Sequence, residues 1–337
     1  MRIQEALIKI IDKRDLEKDE MISVMTQIME GQAERSLLAA FLTALRVKGE
    51  SMEEILGAAI VMRGKSEKIN IKADHVVDTC GTGGDNANTF NISTAAAFVV
   101  AGCGLTVAKH GNRAVSSRSG SADVLKCLGV NIEADKLTVE KCIDGIGIGF
   151  LFAPLMHRAM KHAAEVRKEL GFRTIFNLLG PLTNPAGAHA QVIGIYDGNR
   201  LKQIASVLNL LGTKHAFVVH GDDGLDEITL TGKTKVCELI NGKINEYILE
   251  PDSFDLTACK AKDLEGGSSE ENADIIRNIL SGVLGPQRDI VLMNASAAIV
   301  AGGRATKLKE AMVLSRNSID NGLAEKKLND LCHQSYS

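Results

Sequence analysis

The sequence predicts an α/β protein: a small all-helical N-terminal domain, then a larger α/β domain with a mostly parallel central sheet. Three observations carry this reading. Residues 1 to about 70 contain no proline and place apolar side chains at helical spacing. Near His75 the composition changes, and short β-branched runs begin to alternate with helical stretches, the rhythm of parallel strands joined by crossovers. Residues 154–190 then interrupt that rhythm with a helical stretch and a proline-bounded one, which we read as an excursion back to the helical unit. The expected division is therefore residues 1–70, joined by helices from about 154–190, against an α/β domain of residues 71–153 and 191–337.

Taken in order, Ile3, Ala6, Leu7 and Ile10 share one helix face, as do Met21, Val24, Met25 and Ile28. Ala33 to Val47 continues the pattern, and Ser51-Met52-Glu53-Glu54 reads as a capped start for Ile55 to Met62. Val76-Val77 is a short buried strand, Thr106-Val107-Ala108 a second, and Ser121 to Leu128 a helix. Val130-Asn131-Ile132 reads as another short strand and Gly147 to Phe152 as a further buried run. Met156 to Leu170 is expected as one helix bearing His157, His162, Arg167 and Lys168. Strands resume at Gln191 to Ile195 and Ala216 to His220, with a charged hairpin from about Lys233 to Leu249 and a core helix around Asn294 to Gly302.

Composition narrows the function. Hydrophobic content of 45% and charge of 24% are ordinary for a globular protein. A net charge of -3 argues against a general nucleic-acid or membrane binder, and 4% aromatic residues without Trp leave little for base stacking. The seven cysteines form no C-x-x-C pair, and Cys80, Cys103, Cys127 and Cys142, in apolar or glycine-rich contexts, read as small buried hydrophobes in a reducing, cytoplasmic setting. No apolar run approaches the ~20 residues of a membrane helix, and the charged N-terminus lacks a signal peptide's apolar region.

The chemistry concentrates in Val76 to Asp85, Asn91 to Thr94 and Lys109 to Arg113. Gly81, Gly83 and Gly84 after a strand allow positive φ and a close approach to a ligand. Asn91, Ser93 and Thr94 are cap-type residues before the apolar run Ala95 to Val100, so a helix N-terminus with free amides follows the glycines. Lys109, His110 and Arg113 add side-chain charge, a point charge from Lys and a fork from Arg. The pattern is neither G-x-x-x-x-G-K-[ST] nor G-x-G-x-x-G. It describes a local site for a phosphorylated ligand. Asp222, Asp223, Asp226 and Glu227, taken alone, read as a solvated acidic loop.

These motifs, with Val166-Arg167, Arg173 to Pro185 and His220 to Thr229, resemble the anthranilate phosphoribosyltransferase family in order and spacing over most of the chain. Arg158 departs from the family's expected proline and touches none of the motifs. The resemblance implies transfer of the 5-phosphoribosyl group from 5-phosphoribosyl 1-diphosphate to the amine of anthranilate, with release of diphosphate, in tryptophan biosynthesis. It implies a donor site at Gly81, Gly84, Asp85, Thr89, Asn91, Ile92, Ser93, Thr94, Lys109, His110, Gly111, Asn112, Arg113, Ala114, Val115, Ser116, Ser117 and Ser121. Anthranilate falls to Gly81, Asn112 and Arg167, and magnesium, as two ions, to Ser93, Asp226 and Glu227. Lys109, His110 and Arg113 would stabilise the transition state and the departing diphosphate. A cytoplasmic homodimer through the helical domain is implied as well. The rivals are a pyrimidine nucleoside phosphorylase, a relative with another acceptor, and a non-catalytic phosphate-ligand binder. The intact cationic loop and Asp226-Glu227 favour the transferase.

Overall fold

The computed structural model describes residues 1–84, 87–114 and 118–337. Four helices open the chain: α1 (Ile3–Ile11), α2 (Lys18–Met29), α3 (Arg35–Lys48) and α4 (Met52–Lys65). Their apolar stripes meet in one core where Ala6, Val24, Ile28, Phe41, Leu45, Ile55 and Ala58 are fully buried. The expected cap starts α4: the Ser51 hydroxyl accepts from the Glu54 N–H, and Glu54 Oε2 accepts from the Ser51 N–H at 2.7 Å. Glu54 is buried, so its charge needs partners, and Lys48 Nζ at 3.0 Å and the Leu16 N–H at 2.9 Å supply them.

The sheet has seven strands: β1 (Val76–Asp78), β2 (Thr106–Gly111), β3 (Ile148–Phe152), β4 (Ala190–Gly194), β5 (His215–Gly221), β6 (Thr234–Ile240) and β7 (Lys243–Leu249). Their spatial order is β3-β2-β1-β4-β5-β6-β7. The first five are parallel, and β6 and β7 add an antiparallel edge. Alternate residues of β5 serve opposite faces: Phe217 and Val219 pack in one core, Ala216 and Val218 in the other. A strand covered on both faces needs a continuous apolar run, which is what the sequence supplies. The predicted hairpin turns at Asn241-Gly242, both with positive φ (47° and 87°), the backbone that a two-residue turn requires.

Helix α5 (Ile92–Gly102) joins β1 to β2, and α6 (Ser121–Leu128) and α7 (Lys136–Ile146) join β2 to β3. Between β3 and β4 lie α8 (Ala153–Met156), α9 (Lys161–Leu170) and α10 (Ile175–Leu179). Helix α11 (Leu201–Leu210) precedes β5; α12 (Ser269–Leu280), α13 (Pro286–Ala301), α14 (Leu308–Asp320) and α15 (Leu323–Gln334) close the chain. The predicted core helix is α13, which is buried almost throughout and packs against α5. Ala163, Val166, Ile175, Phe176 and Leu179 from α9 and α10 share the core of the first four helices, and that core runs on through α11 to one face of the sheet. Polar ties reinforce the junction: Arg63 donates to the Leu182 carbonyl at 2.7 Å and the Leu211 carbonyl at 3.1 Å, and Arg200 pairs with Glu50 at 2.6 Å.

Two expected elements are corrected. Val130 to Ile132 is a loop with no strand partner. Val130 and Ile132 are buried, but the Val130 N–H closes the end of α6 on the Leu125 carbonyl, and Asn131 donates to Ser335. Its apolar residues signal burial, not pairing. The expected helix Met156 to Leu170 is broken at His157, whose φ of -120° and ψ of 57° are not helical, and α9 starts only at Lys161. Burial of the His157 ring overrides local propensity there. All seven cysteines are free, and burial pushes the Cys103 and Cys142 thiols up to about 11, so they behave as apolar side chains. Among the described residues no helix is long and apolar enough to cross a membrane.

Candidate active site

The connections from β1 and β4 leave in opposite directions along the sheet, β1 toward β2 and β4 toward β5. That reversal opens a crevice at the carboxyl ends of β1 and β4, where open α/β sheets bind ligands. The glycine stretch fills its floor. The Thr82 N–H donates to the Gly194 carbonyl at the end of β4 at 2.8 Å, and the Thr82 hydroxyl accepts from the Tyr196 N–H at 3.1 Å. Gly83 and Gly84 then take φ of 66° and 74°, a region L side chains avoid.

This turn and the start of α5 aim backbone N–H groups into the crevice. The Gly83 N–H donates to Asp226 Oδ2 at 2.7 Å, and the Ser93 N–H donates to Glu227 Oε1 at 3.1 Å. Two carboxylates from the β5–β6 connection are therefore docked on amides that suit an anion. The fit is close: a Cβ at Gly81 would lie 2.6 Å from Asp226 Oδ2, and one at Gly194 would overlap the Asp226 main chain.

Beneath them Lys109 of β2 is buried, with Nζ 2.8 Å from the Thr79 carbonyl and 3.4 Å from the hydroxyls of Thr79 and Ser93. Asp78 at the end of β1 is fully buried. It accepts from the His110 N–H at 3.2 Å and from Asn184 Nδ2 at 2.8 Å. Burial raises its carboxyl to about 6, with the nearby Lys109 charge opposing.

His110 corrects the expectation of a third cation. Burial, then the neighbouring His157, pushes it down to about 3, so it is neutral at pH 7. Its Nδ1 faces the Gly180 carbonyl at 3.1 Å, which can only accept, so Nδ1 carries the proton and Nε2 keeps a lone pair with no partner among the described residues. His157 is buried, with its ring 5.1 Å from that of His110. Burial lowers it to about 4, against an opposing influence of the Thr183 main chain, and neither ring nitrogen reaches hydrogen-bond geometry with a described partner. Its signal was absent from the sequence because the contact spans from β2 to the segment after β3.

The other expected residues divide. Asn91 begins α5 but does not cap it: its amide donates to the Ser119 carbonyl and its oxygen accepts from Asn272. The Ile92 side chain lies in the core, leaving only its backbone for a ligand, and the buried Thr94 hydroxyl has no partner among the described residues. Thr89 bridges to Glu265. Gly111 must lack a side chain, since a Cβ would approach Phe150 to 2.9 Å. The Asn112 carbonyl accepts from the Ala122 N–H and the Ser121 hydroxyl, and the Ala114 N–H donates to Asp123. Arg113 pairs with Asp123 at 3.3 Å and Glu133 at 3.6 Å, so its fork is already shared. Asp85, Val115, Ser116 and Ser117 lie outside the described residues. Arg167 on α9 has its guanidinium 5.2 Å from the centre of the Phe176 ring, and desolvation holds its pKa below the usual value. It makes no hydrogen bond or ion pair among the described residues, an expensive placement for a charge without a ligand.

A crevice that joins helix-end amides, a buried lysine and a facing carboxylate pair suits a phosphorylated ligand. Two family models match the chain. One described as "Glycosyl transferase family, helical bundle domain" matches residues 4–66, and one described as "Glycosyl transferase family, a/b domain" matches residues 73–325. An anthranilate phosphoribosyltransferase of Anaeromyxobacter dehalogenans is 54% identical over 329 residues, 98% of this chain and 97% of the relative. The crystal structure of anthranilate phosphoribosyltransferase from Thermus thermophilus superposes with a TM-score of 0.94 at 42% identity, covering 98% of this chain and 99% of that one. The Saccharomyces cerevisiae enzyme in complex with PRPP and Mg gives a TM-score of 0.90 at 30% identity, with 98% of each chain covered. The chain belongs to the anthranilate phosphoribosyltransferase family of glycosyl transferases.

Proposed function

We propose that the crevice binds 5-phosphoribosyl 1-diphosphate through the amides of Gly83 and Ser93 and the Lys109 ammonium, and anthranilate through Arg167. The reaction is that of the family: the amine of anthranilate displaces diphosphate from C1 of the donor, in tryptophan biosynthesis. The observation that carries the site reading is that Gly83 and Ser93 present N–H groups to carboxylates at 2.7 and 3.1 Å, beside a buried lysine. Fixed dipoles and a fixed cation aimed at a leaving group that gains charge lower the barrier without reorganising during the reaction.

The residues also fit magnesium. Among the described residues no three His, Cys, Asp or Glu side chains cluster as a metal cage, but Mg2+ needs only one or two carboxylates beside waters and substrate phosphates. Asp226 and Glu227, with the Ser93 hydroxyl, are that donor set, and two ions are our reading. Bound there, the metal would neutralise charge on the diphosphate. The protein's own part is to turn Asp226 and Glu227 away from the amides, so that Gly83 and Ser93 become free for phosphate oxygens. At the acceptor end the Arg167 fork pairs with a carboxylate, and the free His110 Nε2 lone pair can accept from the amine. The neutral histidines position; an arylamine needs little activation before attack.

We also read the protein as a cytoplasmic homodimer joined through its helical unit. Ile8, Ile11 and Val47 on the neighbouring helices α1 and α3 are 61%, 64% and 81% exposed, an apolar group that a second copy would cover. Equilibrium binding of the donor tests the site: it should bind with magnesium and more weakly with chelator. No binding in either condition would overturn the reading.

A further inference from the structure

Arg173 lies between α9 and α10, and its guanidinium is pressed against the glycine loop. A Cβ on Gly84 would stand 3.3 Å from both Nε and Nη2 of this side chain. The guanidinium carbon sits 4.1 Å from the centre of the Tyr196 ring, close enough for a cation–π contact. Tyr196 is itself tied to the loop through its N–H on the Thr82 hydroxyl. Arg173 is thus wedged between the loop and a ring that is fixed to that loop.

Its donors are unspent. Arg113, Arg200 and Arg288 pair with carboxylates, and Arg63 with carbonyls. Arg173 makes no hydrogen bond or ion pair among the described residues, although it is half-buried. A guanidinium that only packs on an aromatic face keeps its whole fork for an anion. The following residues Ile175 and Phe176 belong to the core of the helical layer, so Arg173 reaches from that layer onto the sheet's ligand loop. Tyr196 also lines a cleft of about 370 Å³, with Arg46, His220 and Lys235.

We propose that Arg173 is a binding residue for the donor's diphosphate, parked on Tyr196 until that group enters the glycine loop. The proposal rests on the donor-site reading above. The contact with Gly84 assigns it to the diphosphate, while the acceptor's carboxylate falls to Arg167 on the preceding helix.

Calorimetric titration of inorganic diphosphate with Mg2+ into the full-length protein tests this. Loss of one charge-assisted contact should weaken binding about ten- to a hundredfold in Arg173→Ala. Arg173→Lys should fall between that variant and the wild type, and Arg167→Ala should bind as the wild type does. In steady state Arg173→Ala should raise the KM for the donor and leave that for anthranilate nearly unchanged, a split that a purely structural role would not give. If Arg173→Ala fails to fold, Arg173→Gln keeps the stem and decides the question. Wild-type binding with an unaltered variant would overturn the assignment to Arg173, and so would a rise confined to the anthranilate KM. Absence of diphosphate binding by the wild type would instead remove the donor site itself.

Discussion

Because Asp226 is docked on the amide that we propose holds a phosphate, the proposed site gives it two opposed roles, and its removal should change sign with metal. The Gly83 N–H to Asp226 Oδ2 bond is 2.7 Å long but solvent-exposed. A charge-assisted bond contributes ~1.5–3 kcal/mol, and solvent screening brings this one to roughly 1 kcal/mol. Without magnesium, diphosphate must break that contact and meet the carboxylate's charge. Asp226→Ala should then bind diphosphate about fivefold more tightly than the wild type in chelator. With magnesium the same variant has lost a metal ligand and should bind at least tenfold more weakly, by order of magnitude. Calorimetry in both buffers reads the two signs. Asp222→Ala is the control, since Asp222 faces Lys235 and not the glycine loop, and should change neither value much. Weaker binding by Asp226→Ala in both conditions would refute the idea that this carboxylate covers the phosphate cradle.

Arg167→Ala should raise the anthranilate KM about tenfold or more with little change for the donor, and equal effects on both would sink the assignment. Gly194→Ala would drive a methyl into the Asp226 main chain and should cost roughly 1–3 kcal/mol of stability along with magnesium response; denaturant melts and a magnesium titration at normal values would contradict the packing. The buried histidines have lowered folded-state pKa values, so they cost stability as pH falls from about 6.5 toward 4, whereas the raised Asp78 recovers some as pH falls through about 6. His157→Phe should therefore unfold less readily at pH 4.5 relative to pH 7 than the wild type does, as read from urea midpoints, and an identical pH dependence would count against its burial as a neutral ring. Light scattering should give a dimer that Ile8→Arg with Val47→Arg converts to monomer; a monomeric wild type at micromolar concentration would remove the interface.

The sequence made the fold legible where one signal sufficed. Proline-free helical spacing gave the four opening helices, and the run Ala216 to His220 gave a strand, which the structure buries on both faces. It failed where tertiary contacts decide: Val130 and Ile132 are buried by their neighbours without pairing, and His157 leaves the helical path to bury its ring. The site was legible as residue types, glycines before a helix start and a lysine two segments later. What those residues touch was not. Nothing in the order of residues shows that Asp226 covers Gly83, that His110 is neutral, or that Arg173 lies on Tyr196, because each contact joins segments far apart in the chain.

The most direct test of the whole account is a fluorescence assay of anthranilate with purified protein, 5-phosphoribosyl 1-diphosphate and Mg2+. Anthranilate fluorescence should be lost only when donor and metal are both present, with diphosphate released in equal amount. Folded protein that binds the donor yet consumes no anthranilate would contradict it and point to another acceptor.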